Sequence, residues 1–164
     1  MKFINPQQPL PWHAVGGDDG PCVTITPKPH LLLSLTQWHA VRKQWPAGMP
    51  VGVKVPNDTD IETLVEDLPR IALVALQFPK WVDGRAYSQA HLLRVRLRYE
   101  GEVCAVGEVL ADMLPLLART GFDAVMLKPG QDRAVAERAL GFFPAHYQGD
   151  TSEPKPLFAR GGSV

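Results

Sequence analysis

The chain has 164 residues, enough for one domain with a single core, and its 45% hydrophobic and 21% charged content is that of a globular protein. Seventeen Lys and Arg balance seventeen Asp and Glu, which leaves no global electrostatic case for nucleic acid or an anionic membrane as partner. The two cysteines, Cys22 and Cys104, lie far apart with no CxxC pair, so neither a disulfide scaffold nor a metal site built from this chain alone is expected.

The first residues lack the apolar run of a signal peptide, and the longest apolar stretches are strand-length rather than membrane-spanning. A cytoplasmic protein is the expectation. Residues 1–30 are rich in Pro and Gly and read as an irregular N-terminal segment. Two short apolar pieces, 12–15 and 23–26, could be edge strands or a small hairpin split by the turn-like run 16–20. Residues 31–35 read as a short strand or an extended lead-in. Thr36 can cap a helix running to about Gln44, with Trp38, Val41 and Trp45 on one face; Pro46 and Gly48 stop it.

From residue 51 the pattern becomes regular. Residues 51–55 read as a strand. Thr59 and Glu62 have capping-box spacing and predict a helix ending near Leu68 and Pro69. The near-continuous apolar run 71–78 fits a strand covered on both faces. A long loop, 79–85, leads to a helix over about 87–98, for which Gly101 is placed as a left-handed cap. Residues 102–106 form the next strand, followed by a helix over about 108–120 with Val109, Leu110, Met113, Leu114 and Leu117 inward and a kink at Pro115. Gly121 caps it, 123–127 is a strand, and 131–140 is the last helix.

Four strand–helix units between 51 and 140 predict an α/β fold with parallel strands. Two architectures are compatible: an open doubly wound sheet, or a partial (β/α) barrel. Residues 1–150 form the single domain on this reading, and the polar, proline-broken residues 151–164 a disordered tail.

In parallel α/β folds ligands meet the carboxyl ends of the strands. That rule selects residues 56–58, 79–88, 107–108 and 128–130. The second segment is the richest. Lys80 and Arg85 are cations, and Arg85 can hold a carboxylate, phosphate or sulfur oxyanion at two points. Asp83, Gly84 and Ser88 can orient the turn, Tyr87 and Gln89 add a phenol and an amide, and Trp81 is an anchor for a partner surface. Glu108 and Asp112 lie on the neighbouring loop and helix, and Arg94 is a further cation. A plainer reading of the loop has Asp83 capping the helix, Gly84 supplying a positive φ, and Arg85 paired with Asp83 or Glu108. His91 reads as surface or packing, the remaining histidines lack metal spacing, and Cys104 reads as a small buried hydrophobe. No nucleotide or dinucleotide fingerprint and no nucleophile elbow is present, so the residues name no cofactor and no catalytic group.

The run Phe78-Pro79-Lys80, Asp83-Gly84-Arg85-Ala86-Tyr87-Ser88-Gln89-Ala90 and Leu92-Leu93-Arg94 continues through Gly101-Glu102, residues 105–110, Asp112 and residues 121–124. It resembles the domain of unknown function 934 family of bacteria, described as a probable oxidoreductase of sulfite reduction, over roughly residues 30–148. The DGR-x-YS-x-A-x-LLR stretch is its most specific part. The resemblance implies a setting in sulfur assimilation, with sulfite reductase as partner. Ala86 stands where a glycine is usual, Cys104 and Ala111 where arginines are usual, and Glu108 where aspartate is usual. Lys80, Arg85 and Arg94 are then the remaining cations. Two functions follow as expectations: an accessory protein or oxidoreductase of assimilatory sulfite reduction that holds an anionic ligand or partner at the loops after the strands, or a non-catalytic module that docks on the reductase through exposed tryptophan.

Overall fold

The computed structural model describes residues 1–3, 12–15, 25–143 and 146–159. Its framework is one seven-stranded sheet: β1 (Lys2–Phe3), β2 (His13–Ala14), β3 (Leu31–Ser34), β4 (Val51–Val55), β5 (Leu73–Phe78), β6 (Glu102–Gly107) and β7 (Ala124–Val125). The spatial order is β1-β7-β6-β5-β4-β3-β2, and every pair is parallel. From β2 to β7 each strand lies beside the one before it in sequence, without the reversal of order that defines a doubly wound sheet. The sheet curls into a half-barrel. Of the two expected architectures, the partial barrel is the one adopted.

Side chains alternate across the strands. Val53, Val55, Val74, Leu76, Phe78, Val103, Ala105 and Val125 belong to the main core, shared with buried helical residues such as Leu93, Leu114 and Leu117. Leu73, Ala75, Cys104, Val106 and Ala124 form a second, smaller cluster, against which Trp12, Leu32 and Met126 pack. Trp12 lies so close over Gly52 that a Cβ there would sit 3.0 Å from its ring.

Four α-helices join the strands: α1 (Leu35–Val41), α2 (Arg85–His91), α3 (Leu114–Thr120) and α4 (Arg133–Ala139). Several boundaries differ from the sequence pattern for local reasons. α1 starts at a capping box of Ser34 and Gln37, not at Thr36: Gln37 N donates to Ser34 Oγ at 3.2 Å and Ser34 N to Gln37 Oε1 at 2.8 Å. Trp38 and Trp45 are buried edge to face as core residues, but α1 ends at Val41 and not near Gln44, so Trp45 lies beyond the helix. The expected helix after Thr59 is two short 3-10 turns, Ile61–Leu64 and Leu68–Arg70, with Asp60 rather than Thr59 capping the first. α2 runs on into a π-helical turn, Leu92–Arg96. The left-handed residue after it is Arg98 (φ 51°), not Gly101. Gly101 has another reason to be glycine, because a Cβ there would meet the Tyr99 hydroxyl at 2.2 Å. Pro115 does not kink a long helix. It stands in the first turn of α3, where its missing N–H costs nothing. Gly121 closes α3 in the left-handed region (φ 102°), as expected. β7 shrinks to two residues, and α4 is capped by Asp132.

The piece expected at 12–15 contains β2, which pairs in parallel with β3 and so is not half of a hairpin; residues 16–24 lie outside the described residues. In the C-terminal stretch, Thr151 N and Oγ1 both donate to Arg119 O (3.2 and 3.0 Å), and Leu157–Ala159 forms a 3-10 turn; residues 160–164 lie outside the description. Among the described residues no helix is long and apolar enough to cross a membrane.

Candidate functional site

The carboxyl ends of β4, β5 and β6 open onto loops that meet at one rim. Gly107 makes the β6 side of it possible: its φ is 99°, and a Cβ would lie 2.5 Å from the Phe78 carbonyl oxygen. That close approach lets Glu108 N donate to Phe78 O at 2.8 Å. Only glycine combines such a φ with such a contact.

The β5–α2 loop is organised by Asp83. A turn closes with Asp83 N donating to Lys80 O at 3.0 Å. The Asp83 carboxylate then accepts three hydrogen bonds from Arg85: backbone N at 3.3 Å, Nε at 3.0 Å and Nη2 at 2.8 Å. Arg85's guanidinium, and after it the amide of Asn57, hold the Asp83 carboxyl well below the usual carboxylate range. Asp83 in turn raises the guanidinium's pKa. So the oxyanion grip expected of Arg85 is half occupied from within. Two of its nitrogens face Asp83, and Nη1 has no acceptor among the described residues. Gly84 sits at φ −84°, so the positive φ expected there is absent.

Other candidates fall into place around this pair. Gln89 is buried and plugs the loop after β4, its Nε2 donating to Pro56 O (2.9 Å) and Thr59 O (2.8 Å). Its Oε1 is buried without a hydrogen-bond partner among the described residues. Tyr87 stacks edge to face on Phe78 (5.1 Å between centroids) and Phe122 (6.3 Å). Burial raises its pKa, and the charge of Asp112 adds to that. Ser88 and Lys80 are exposed, and Trp81 and Val82 stand out at 57% and 65% exposure. Glu108 pairs with Lys128 from the loop after β7 (2.5 Å), not with Arg85. Asp112 is exposed in the 3-10 turn before α3.

Arg94 belongs elsewhere. Its guanidinium donates to Gly121 O, Tyr99 O, Gly101 O and the Asp123 carboxylate, all at the amino ends of β6 and β7. It is a clamp at the opposite end of the sheet from the rim. Cys104 is fully buried, and burial pushes its thiol far up. Among the described residues no group of three His, Cys, Asp or Glu side chains could hold a metal ion. Sequence reasoning did not single out Asn57 or Lys128, although each follows a strand end and lies in a segment the carboxyl-end rule selects.

A family model described as bacterial protein of unknown function (DUF934) matches residues 52–158. The chain belongs to this family. The match begins inside β4 and takes in every loop of the rim, with β1 to α1 falling before it. No curated protein matches the chain.

Proposed function

We propose that this chain is an accessory protein of bacterial assimilatory sulfite reduction, and that it holds an anionic ligand or an anionic group of a partner at the rim through Arg85. The sulfur setting is carried by the likeness of the Asp83–Arg94 stretch to its family. The position of Arg85 carries the binding role. Asp83 fixes the guanidinium at two points and leaves Nη1 with no acceptor among the described residues, at the strand ends where α/β folds receive ligands. An arginine held this way is preorganised, so little side-chain freedom is lost when an oxyanion arrives. Asp83 is the positioning residue.

The test is Arg85→Lys. Lysine keeps the charge but cannot take Asp83 at two points and offer a further nitrogen outward. In a strain lacking the native gene, the variant should fail to support growth on sulfate as sole sulfur source, while the purified protein melts like the wild type. Wild-type protein should also be stabilised by sulfite in a thermal-shift titration, and the variant should not. Normal growth of the variant would return Arg85 to a purely structural ion pair.

A further inference from the structure

The turn beside Arg85 brings a second charged group to the rim. Residues 56–59, at the carboxyl end of β4, form a turn closed by Thr59 N donating to Pro56 O at 3.2 Å. Gln89 Nε2 donates to both Pro56 O (2.9 Å) and Thr59 O (2.8 Å), which flank the tip of that turn. Gln89 follows Arg85 by four residues in α2, so the two side chains share a helix face. The tip, Asn57 and Asp58, is thereby held along the face that carries Arg85. Asn57 is buried, and its amide reaches Asp83. Asp58 is exposed. Among the described residues the ion pair of Arg85 is with Asp83 and not with Asp58, yet the negative charge of Asp58 acts on the guanidinium.

This arrangement limits what Arg85 accepts. Asp83 already offsets its charge at two points. Lys80 is a further cation on the same loop, and Asp58 offsets that one in turn. Glu108 and Lys128 cancel each other on the loops after β6 and β7, and Asp112, whose charge reaches Tyr87, adds a negative one. The rim therefore has no surplus positive charge for a dianion. A doubly charged ligand would accept from Arg85 Nη1 and be repelled by Asp58. A singly charged ligand that carries a hydrogen accepts from Nη1 and donates to the Asp58 carboxylate, so both groups gain a partner. We infer that the rim selects a singly charged, hydrogen-bearing oxyanion, with Arg85 as the donor and Asp58 as the acceptor of its hydrogen. The inference rests on the anion-holding role proposed for Arg85 and adds the selectivity of that site. Among the oxyanions of sulfur, hydrogensulfite is taken, while the sulfite dianion and sulfate are refused by the same carboxylate.

Thermal-shift titrations of the full chain with sodium sulfite and sodium sulfate test it. Each shift is read as the difference from Arg85→Lys, because sulfate stabilises folded proteins generally. Sulfite takes up a proton near neutral pH and sulfate does not. On the acid side of that equilibrium the wild type should bind sulfite at least about tenfold more tightly than sulfate. The apparent affinity for sulfite should fall as the pH rises and the hydrogen is lost. Asp58→Asn removes the repulsion and offers an N–H beside the acceptor. It should narrow the difference between the two salts to about threefold or less and flatten the pH dependence, whereas a pH effect arising elsewhere in the chain would survive in it. Asp58→Ser, which also removes the charge, serves if asparagine lowers the melt without ligand. Sulfate bound as tightly as sulfite by the wild type overturns the selectivity and leaves the anion-holding role of Arg85 standing. So does a preference that persists unchanged in a charge-removed variant that melts normally. Absence of any Arg85-dependent binding of either salt overturns both.

Discussion

Arg94, at the π-helical end of α2, bonds the carboxylate of Asp123, and the same carboxylate accepts the backbone N–H of Val103 in β6 at 2.9 Å. Arg94 Nε also donates to Gly121 O at 3.0 Å and Nη1 to Gly101 O at 2.9 Å. One side chain thereby ties α2 to the starts of β6 and β7 and to the left-handed cap of α3. α2 is pinned at its other end too, where Gln89 enters the loop after β4. The motif that runs from Asp83 to Arg94 is in large part a device for fixing this helix between the two ends of the sheet.

Arg94→Leu should therefore destabilise the fold. It leaves three carbonyls and a carboxylate without their donor at a site where the arginine side chain is only 17% exposed. Losses of this kind run to about 2–4 kcal/mol. At about 2–4 °C per kcal/mol for a chain of this size, the melting temperature should fall by roughly 4–16 °C. A melt within about 1 °C of the wild type would show that water satisfies the clamp's acceptors.

Gly107 and Gly130 give a paired prediction. Both have positive φ, 99° and 86°, but a Cβ on Gly107 would lie 2.5 Å from the Phe78 carbonyl oxygen while one on Gly130 meets nothing within 4 Å. Gly130→Ala should cost only the conformational strain, about 1 kcal/mol. Gly107→Ala adds a backbone collision and should cost about 3 kcal/mol or more, with loss of the Glu108 N to Phe78 O bond. Urea denaturation of the two variants measures the difference; equal losses would mean that the β6 loop yields freely.

Much of the fold was legible because it rests on periodicity. The apolar runs ending at Val55, Phe78 and Val106 are strands buried on both faces, and their spacing leaves room only for helical crossovers. What was not legible depended on which of two equivalent signals wins locally. Ser34 caps α1 in place of Thr36 because Gln37 stands where a reciprocal bond can form, and Asp60 displaces Thr59 because its carboxylate accepts the Glu62 N–H. Gly101 reads as a helix cap from spacing alone, but its reason is the ring of Tyr99, a contact within the chain that no pattern encodes. The rim was legible as a place and not as an arrangement. The sequence leaves Arg85 the choice between Asp83 and Glu108, and three-dimensional placement of Lys128 beside Glu108 decides it. Closeness in sequence sets Arg94 beside Lys80 and Arg85, but a helix carries it to the other end of the sheet.

The C-terminal stretch offers a graded test. Truncation after Ala159 keeps every described contact of residues 151–159 and should leave the melting temperature nearly unchanged. Truncation after Asp150 removes both Thr151 bonds to the Arg119 carbonyl and the Ser152 and Glu153 donors to Asp150. Loss of about 1–2 kcal/mol is expected, or roughly 2–8 °C. If both truncations melt like the full chain, residues 151–159 add nothing to the domain's stability.

Asp150 should make part of that stability depend on pH. Burial by itself would raise its pKa, but the backbone N–H of Glu153, the Ser152 hydroxyl and backbone N–H, and His146 together outweigh it and bring the carboxyl down to about 2 from an ordinary 3.8. His146 Nε2 lies 2.8 Å from one carboxylate oxygen and Arg119 Nε 3.8 Å from the same atom. The folded state thus prefers the ionised form more strongly than the unfolded state does. For a depressed carboxyl pKa the stabilisation is fully present above the unfolded value and disappears as the pH falls through the folded one. Asp150→Asn removes the charge while keeping the shape and one acceptor oxygen. The variant should be less stable than the wild type by about 1 kcal/mol at neutral pH, a figure reduced by solvent around Arg119 and His146. That gap should hold down to about pH 4 and shrink as the pH approaches 2. Chemical denaturation of both proteins at stepped pH measures it. A gap that stays constant across the acid range would mean that Asp150 acts through hydrogen-bond geometry and not through its charge.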